Sequence, residues 1–589
     1  MAEVLISPGV LARENDQSQI TSQPVQAGAA IIGPTVKGQQ NIPKLVTSYS
    51  EYEAAFGSTF MSGSSQYTFF TSISAYNYFQ NGGTSLIVTK AAPGTWTAAS
   101  SSYIITGSDT APGAGFGSAG DSPFVLETLS HGNIMNSARE GKTGGSDGSN
   151  NTLPSGSSDN FRWEISSPQT SSGVFSVLLR QGNDTGTAKQ VVETFQNVSF
   201  YPFSTNYISK VIGDQVQTVR GSAGDQYLMT SGSYRNASRF IRVKQVNFPT
   251  PNYLDNAGAA KDIYTSSIPA AQSGSFGNAV GDITGSGTPS NFYQQINNTD
   301  SQGLVGSDYT IGIDLLANRD DFRYNILTAP GLVLANGTSG AGWTTIQSNC
   351  ETRGDAIFVG DLVNYNASIT QATTQAASVD SSYVASYWPW LQVIDPDSRE
   401  LVWVPASTLI PGVYAYNDRA GEPWFAPAGI NRGGLGTVNQ AERKLTNTNR
   451  DTLYTGKVNP IATFPGQGIV VFGQKTLQTK ASALDRVNVR RLLITLKNYI
   501  SQIADTLVFE QNTAATRNTF LSQVNPYLES VQQRQGLYAF KVVMDNTNNT
   551  PDVIDRNELI GAIYLQPTKT AEFIYLDFNI LPTGATFPA

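Results

Sequence analysis

The chain has 589 residues, of which 39% are hydrophobic, 14% are charged and 10% are aromatic. At roughly 150 residues per domain, this length predicts about three or four folded units. With 45 acidic and 37 basic residues the net charge is −8, so we expect no surface that neutralises nucleic-acid phosphates. One cysteine, Cys350, excludes an intramolecular disulfide and a thiolate metal cluster, and one histidine, His131, excludes His-rich metal sites.

The composition also bears on location and fold class. No apolar run reaches the ~20 residues that span a bilayer, and the opening MAEVLISPGV carries an acid but no basic segment. We therefore expect neither membrane insertion nor a signal peptide. The 55 glycines, 28 prolines, 26 tyrosines and 27 phenylalanines favour strands joined by turns. The prediction is a soluble, multidomain protein of mixed α/β and β class, poorly equipped for catalysis and without a cofactor.

Residues 1–25 are predicted to form an extended arm. Val4, Leu5 and Ile6 suit a short strand, but the polar stretch Glu14–Gln23 that follows has almost no apolar anchors. Such a segment buries too little surface to fold alone. Two interpretations stay open: a frayed terminus, or a strand held out to pair with a partner.

Residues 26–92 are predicted to be the first part of an α/β core. The pattern indicates strands at Ala29–Ile32, Lys44–Thr47 and Ser85–Lys90, a helix capped by Ser50 and ending at Phe56, and a second helix from Ser65 to Phe79. This order of strands and helices predicts a parallel or mixed sheet.

Residues 93–305 are rich in glycine, serine, threonine and asparagine, and we predict one or two β-rich insertion domains that face solvent. Strands are expected at Phe161–Ile165, Val174–Arg180 and Gln190–Phe195. The second part of the core is predicted over 306–460. Its expected elements are strands at Tyr309–Ala317, Asn325–Ala329, Ala356–Val359, Trp388–Trp390 and Leu401–Val404, and a helix at Ser368–Ser382.

Residues 461–570 are predicted to form a C-terminal α/β domain. One amphipathic helix is indicated by the helical spacing of Val489, Leu492, Leu493, Leu496, Ile500 and Ile503. A second is indicated by Phe520, Val524, Leu528 and Val531, and Pro526 is expected to kink or restart it. Strands are expected at Gly468–Phe472, Phe540–Met544 and Ile560–Leu565.

The final segment, 571–589, is predicted to be a strand or arm, with the strand at Ala571–Leu581. Ile574, Leu576, Phe578 and Ile580 share one face of it. Left open to solvent, a strand with that pattern would be prone to aggregate. It is therefore either donated to a neighbouring copy or paired within its own domain with Ile560–Leu565.

A series of short motifs follows a characteristic order along the chain. They are SPGV at 7–10, GP at 33–34, LVTS at 45–48, FG at 56–57, YFQNGG at 78–83, APAG at 426–429, VNP at 458–460, GIVVFG at 468–473, NVRRL at 488–492, DNTNNTP at 545–551 and AEFI at 571–574. This ordered set resembles the contractile tail sheath proteins of bacteriophages and related injection machines. Two departures are Phe472, where many sheath proteins carry tryptophan, and Pro526, in a helix that is usually continuous.

The resemblance implies a subunit that polymerises helically around a tail tube and contracts to drive the tube through the host envelope. It implies that subunits exchange terminal strands carrying Val4, Leu5, Ile6, Ile574, Leu576, Phe578 and Ile580. The C-terminal domain would face the tube, with Glu529 and Arg534 of the Pro526–Gln535 segment as contacts. The implied partners are other copies of the chain, the tail tube protein, and baseplate and tail terminator proteins, without nucleic acid or direct membrane insertion. The implied location is the virion, after assembly in the host cytoplasm.

Two other functions stay open on the residues alone: a secreted adhesin or surface-layer protein, and a hydrolase that uses a carboxylate pair. Asp320–Asp321 is half of such a pair at most, and a surface turn explains it better. GFGSAG at 115–120 has the spacing of a dinucleotide loop, but turn residues flank it where a strand and a helix are needed. Arg353–Gly354–Asp355 spells an adhesion tripeptide, which three common residues often form by chance. We therefore favour the structural sheath subunit over an enzyme.

Overall fold

The computed structural model describes residues 25–26, 28–62, 65–105, 120–132, 160–281 and 301–572. These residues form a mixed α/β and β protein with several separate sheets, which confirms the predicted fold class. The predicted strand Val4–Ile6 lies outside the described residues, and so does the predicted strand Ala571–Leu581 from Phe573 onward.

The described residues before 282 contain the first core elements and the insertion. The strands are β1 (Val25–Gln26), β2 (Ala29–Gly33), β3 (Lys44–Val46), β4 (Thr59–Ser62), β5 (Ser65–Thr68), β6 (Leu86–Lys90), β7 (Ala98–Ser102), β8 (Phe124–His131), β9 (Phe161–Gln169), β10 (Val174–Gln181), β11 (Val191–Ser199), β12 (Val216–Arg220), β13 (Tyr227–Ser231), β14 (Ile241–Val246) and β15 (Gln272–Ser275). The helices are α1 (Tyr49–Phe56), α2 (Phe70–Gln80), α3 (Ile208–Ile212) and α4 (Asp262–Thr265).

The described residues from 301 onward contain the rest of the core and the C-terminal region. The strands are β16 (Phe322–Arg323), β17 (Ile326–Val333), β18 (Ile357–Asp361), β19 (Val384–Ala385), β20 (Tyr387–Trp388), β21 (Leu391–Ile394), β22 (Leu401–Val404), β23 (Val438–Ala441), β24 (Asn459–Phe464), β25 (Gly468–Val471), β26 (Leu537–Val543) and β27 (Ala562–Pro567). The helices are α5 (Thr310–Ala317), α6 (Gly337–Arg353), α7 (Ile369–Ala377), α8 (Ile410–Ala420), α9 (Asn447–Thr455), α10 (Val487–Asp505), α11 (Ala514–Gln533) and α12 (Pro551–Asp555).

A six-stranded sheet in the order β19-β18-β17-β2-β6-β3 forms the centre of the core. Ala29 of β2 lies opposite Ile326 of β17 on one side and Leu86 of β6 on the other, and both pairings are parallel. Only β3 runs antiparallel to its neighbour in this sheet. The strands before and after the insertion thus share one sheet, and this sheet is mixed, as predicted for residues 26–92.

Helices cover both faces of this sheet, which explains why its strands are nearly continuous apolar runs. Every residue of β2, β6, β17 and β18 is buried. On one face α2 and α8 contribute Ile73 and Tyr414 to an apolar cluster. On the other face α5 and α6 contribute Ile313 and Trp343 to a second cluster. The core is therefore a three-layer α/β unit.

The predicted boundaries at the start of the core need two corrections. The hydroxyl of Ser48, not of Ser50, caps α1 by accepting from the backbone N–H of Glu51 at 3.2 Å. The predicted helix over Ser65–Phe79 begins only at Phe70, because Ser65–Thr68 pairs with β4 as strand β5. The Thr68 hydroxyl donates to the buried Asp395 at 2.5 Å, a distant contact that no local pattern reveals.

The segment Tyr309–Ala317 is helical, so its prediction as a strand was wrong. A single turn at Gly306–Tyr309 leads into α5, and the Asp308 carboxylate accepts from the N–H of Val305 at 2.9 Å to start that turn. Tyr309, Ile313 and Leu316 are buried together. Their spacing of four and three residues is helical and was the available signal.

Three core helices were not predicted from the sequence. α6 is rich in glycine, threonine and serine, and only Trp343, Ile346 and Cys350 mark its buried face. α8 begins directly after the strand β22 and a short turn, and α9 is mostly polar. The predicted strand at Trp388–Trp390 is also shorter than expected, because β20 ends at Trp388 before Pro389, which has no N–H for a ladder.

Two antiparallel sheets of the insertion, β11-β10-β9-β15 and β14-β8-β7, lie around one apolar cluster, and β12 and β13 form a separate antiparallel pair. The three predicted strands are present and longer than expected. Charge is also buried here. Arg162 and Arg180, opposite each other on β9 and β10, both donate to the carboxylate of Asp184, and all three side chains are at most 1% exposed.

The C-terminal region is built on the two predicted amphipathic helices. α10 buries Val489, Leu492 and Leu496, which confirms the first prediction. α11 continues through Pro526 instead of restarting there. Its buried face packs against α10 and β26, and this tertiary packing offsets the hydrogen bond that proline removes.

Candidate assembly surface

The strands β26 and β27 form a two-stranded antiparallel sheet whose two outer edges meet no other strand among the described residues. Their inner side chains pack on α10 and α11. The outer face is aromatic: the side chains of Tyr538 and Tyr564 are 64% and 62% exposed. Isolated two-stranded sheets are marginally stable, and open edges accept further strands. This sheet is therefore the candidate acceptor for strands from elsewhere.

A loop from the core braces this region beside the end of α11. The Trp424 indole N–H donates to the carbonyl of Arg534 at 3.0 Å, and the Arg534 guanidinium lies 5.1 Å from the Trp424 ring centroid. Arg534 also pairs with Glu422 at 2.8 Å. Arg534, which the sequence assigned to the tube-facing surface, thus has partners within its own chain.

Glu529, the other residue assigned to the tube-facing surface, lies on the exposed side of α11. Its side chain makes no hydrogen bond or ion pair with the rest of the described chain. Glu529 and Arg534 are therefore both at the surface, but only Glu529 presents an uncommitted charge there.

The N-terminal end of α10 is joined to the core through buried arginines. Arg491 donates to both carboxylate oxygens of Asp418 on α8, at 2.6 and 2.8 Å, and lies over the Tyr414 ring. Burial alone would lower the pKa of Arg491, but Asp418 outweighs it and raises that pKa. Arg490 lies 4.0 Å from the Tyr383 ring centroid. The NVRRL motif thus fixes the helix that supports β26 and β27 to the central sheet.

Of the two side chains with the greatest potential for chemistry, His131 is half-buried and Cys350 is buried. Burial lowers the pKa of His131 to about 4, and its Nδ1 accepts from the N–H of Gln40 at 3.3 Å. Burial raises the pKa of the Cys350 thiol to about 12. Neither group is suited to act as a base or nucleophile near neutral pH.

The motifs that suggested other functions are likewise accounted for locally. Arg353 is buried and donates to both carboxylate oxygens of Asp355 at 2.9 Å, so the adhesion tripeptide is an internal ion pair. Asp320 and Asp321 are exposed in a turn. Across the described ranges, no three His, Cys, Asp or Glu side chains cluster as a metal site. In those same ranges no helix is both long and apolar enough to cross a bilayer.

Two protein-family models match the second half of the chain. Residues 302–477 match the phage tail sheath protein central domain, and residues 479–581 match the phage tail sheath C-terminal domain. The first match contains the second part of the core, and the second contains α10, α11, β26 and β27. Over these regions the chain is similar to phage tail sheath proteins.

Individual relatives agree with this assignment. The chain is 41% identical over 236 residues to the tail sheath protein of Vibrio phage KVP40, which covers 40% of this chain and 33% of that protein. It is 36% identical over 229 residues to the tail sheath protein of Enterobacteria phage T4, covering 39% and 35%. The chain thus spans about one third of the length of the curated relatives it matches.

One solved structure resembles the fold of nearly the whole chain. The sheath tail protein of Listeria innocua aligns with 92% of this chain and 95% of its own, with a TM-score of 0.50 and 9% sequence identity. At that identity the match concerns the fold alone. Outside 302–581, the sheath fold is therefore supported by shape more than by sequence.

Proposed function

We propose that the chain is a structural subunit of a contractile tail sheath. It polymerises helically around a tail tube and contracts to drive the tube through the host envelope. The observation that carries this proposal is the match of residues 302–477 and 479–581 to two sheath domains, together with the open-edged sheet of β26 and β27. Its partners would be further copies, the tail tube protein, and baseplate and tail terminator proteins in a virion assembled in the host cytoplasm.

Strand exchange supplies the links between subunits. The arm strand of Val4, Leu5 and Ile6 and the strand beyond 573 pair with the free edges of β26 and β27 in neighbouring copies. Each backbone hydrogen bond stabilises by only ~1 kcal/mol net, but a strand forms several and buries alternate side chains. Such links let rigid subunits tilt and move outward without detaching.

Deleting residues 2–22 tests the arm directly. The truncated protein should fold, because the central sheet starts at β2, but it should form no striated tubes or rings in negative-stain electron microscopy. The full-length chain, imaged at the same concentration, is the positive control. Regular tubes from the truncated protein would show that the arm does not link subunits, and absence of tubes from both proteins would count against the sheath proposal.

The tube-facing surface is tested best at Glu529. Reversal of Arg534 would also remove its contacts with Glu422 and Trp424, whereas Glu529 has no such partner to lose. We expect Glu529→Lys to weaken co-sedimentation with the tail tube protein by about fivefold, the effect of one exposed ion pair of ~1 kcal/mol. Self-assembly should be unchanged.

The matched control is Glu400→Lys, the same charge reversal at another exposed position. It should leave tube binding as in the unmodified chain. Equal binding by the Glu529 and Glu400 variants would move the tube-facing surface away from α11.

A further inference from the structure

The last described residues leave the β26–β27 sheet and cross to the core. Thr568, just after β27, still donates its hydroxyl to the carbonyl of Gln535 at 2.7 Å, next to β26. Four residues later, the side chain of Glu572 lies among Tyr454 of α9, Gln474 after β25, and Arg486 before α10. Ala571 and Glu572, the first residues of the predicted strand Ala571–Leu581, are therefore not in a strand, and Glu572 is held at the core instead.

The contacts of Glu572 form a complete carboxylate clamp. Arg486 donates from Nε to Oε1 at 2.7 Å and from Nη2 to Oε2 at 3.0 Å. Gln474 donates to Oε1 at 3.0 Å and to the Thr570 hydroxyl at 2.6 Å, and the Tyr454 hydroxyl donates to Oε2. The side chains of Glu572 and Arg486 are only 19% and 24% exposed. Bidentate, charge-assisted pairs of this kind are directional as well as strong.

The hydrogen bonds to Glu572 favour the ionised form of its carboxylate. Burial would raise the pKa of Glu572, but the hydrogen bonds from Arg486, Tyr454 and Gln474 outweigh it and hold that pKa below its usual range. Asp485 pairs with Arg486 at 2.9 Å, and Lys475 lies over the Tyr454 ring. Since the pKa is depressed, the clamp is intact at neutral pH and is lost only as the pH falls through this lowered value.

We propose that Glu572 is the positioning residue of the C-terminal arm: it fixes the root of the arm on its own subunit and directs the following strand to another copy. This inference rests on the strand exchange proposed above. None of the residues that hold Glu572 belongs to β26 or β27. The apolar pattern starts at Ile574, so only Phe573 separates it from the clamp. A groove of about 530 Å³, lined in part by Arg450 and Phe472, lies open beside the clamp.

Trypsin cleavage after the exposed Lys569 tests the clamp in the unassembled full-length protein. Lys569 lies between Thr568 and Thr570, whose hydroxyls are both hydrogen-bonded. We expect Glu572→Ala to accelerate this cleavage about tenfold, because local opening no longer breaks a charge-assisted pair. The matched control is Glu558→Ala, which removes the exposed 3.1 Å pair with Arg556 and should not alter cleavage after Lys569. Cleavage of the Glu572 variant at the unmodified rate would overturn the proposal.

Assembly supplies a second measurement that a merely structural role would not reproduce. Glu572→Ala should give fewer and shorter tubes, and the charge swap Glu572→Arg with Arg486→Glu should restore them. Normal tubes from Glu572→Ala would overturn the positioning role, and so would a charge swap that restores nothing. If instead deletion of 573–589 leaves tubes intact, strand exchange itself fails, while the cleavage result still reports on the clamp independently.

Discussion

A Phe578→Asp variant is expected to keep the melting temperature of the monomer and to form no tubes. The alternating sequence pattern predicts that Phe578 shares the apolar face of a terminal strand with Ile574, Leu576 and Ile580. If this face is buried against the β26–β27 sheet of another copy, an aspartate places an unpaired charge in that interface. Loss of one large buried side chain costs ~1.5–3 kcal/mol at every link, and the desolvated charge adds to it. The measurements are thermal unfolding of the monomer and negative-stain microscopy.

Asn579→Asp is the matched control, because it introduces the same charge on the opposite face of the strand. It should leave both the melting temperature and the tubes unchanged. A drop of several degrees in the Phe578 variant would mean that the strand completes its own domain. That outcome would favour internal pairing over donation.

Among the substitutions proposed for this protein, Asp184→Ala is expected to lower the free energy of unfolding the most. The Asp184 carboxylate accepts from Arg162 Nε at 2.8 Å, from Arg180 Nε at 2.7 Å and from the N–H of Gln190 at 2.9 Å. Its removal leaves two buried guanidinium groups without their shared counter-charge. Breaking a buried ion pair on one side costs about 3–5 kcal/mol. Urea unfolding followed by tryptophan fluorescence should show the insertion, with its buried Trp163, unfolding earlier than in the unmodified protein.

Glu164→Gln offers a graded comparison in the same network. Glu164 pairs with Arg180 at 2.7 Å and with the exposed Lys189 at 2.6 Å, but Arg180 keeps its bond to Asp184 when Glu164 is neutral. We expect a loss of about 1 kcal/mol or less. Equal unfolding midpoints for the Asp184 and Glu164 variants would contradict the central role of Asp184.

The Asp184 network also shows where sequence patterns stop being informative. Asn183–Asp184–Thr185 has the pattern of a glycosylation sequon, and nothing near it in the sequence marks Asp184 as buried. Arg162 and Arg180 become neighbours only because β9 and β10 pair in one particular register. The Glu572 clamp was missed for the same reason, since Tyr454, Gln474 and Arg486 come from three separate segments.

The sequence by itself determined the features that repeat over short distances. Three such features are visible in the sequence alone: the helical period of α10, the apolar runs of β2 and β6, and the ordered sheath motifs. Local patterns predicted a strand where α5 lies and gave no prediction for α6. The buried face of each helix carries few apolar residues. Only the tertiary structure decided how segments on either side of the insertion share the central sheet in register, which charges are buried, and which sheet edges stay open. The physical reason is that periodicity records the local burial of one face, whereas strand order, register and ion pairing depend on packing between residues far apart in the chain.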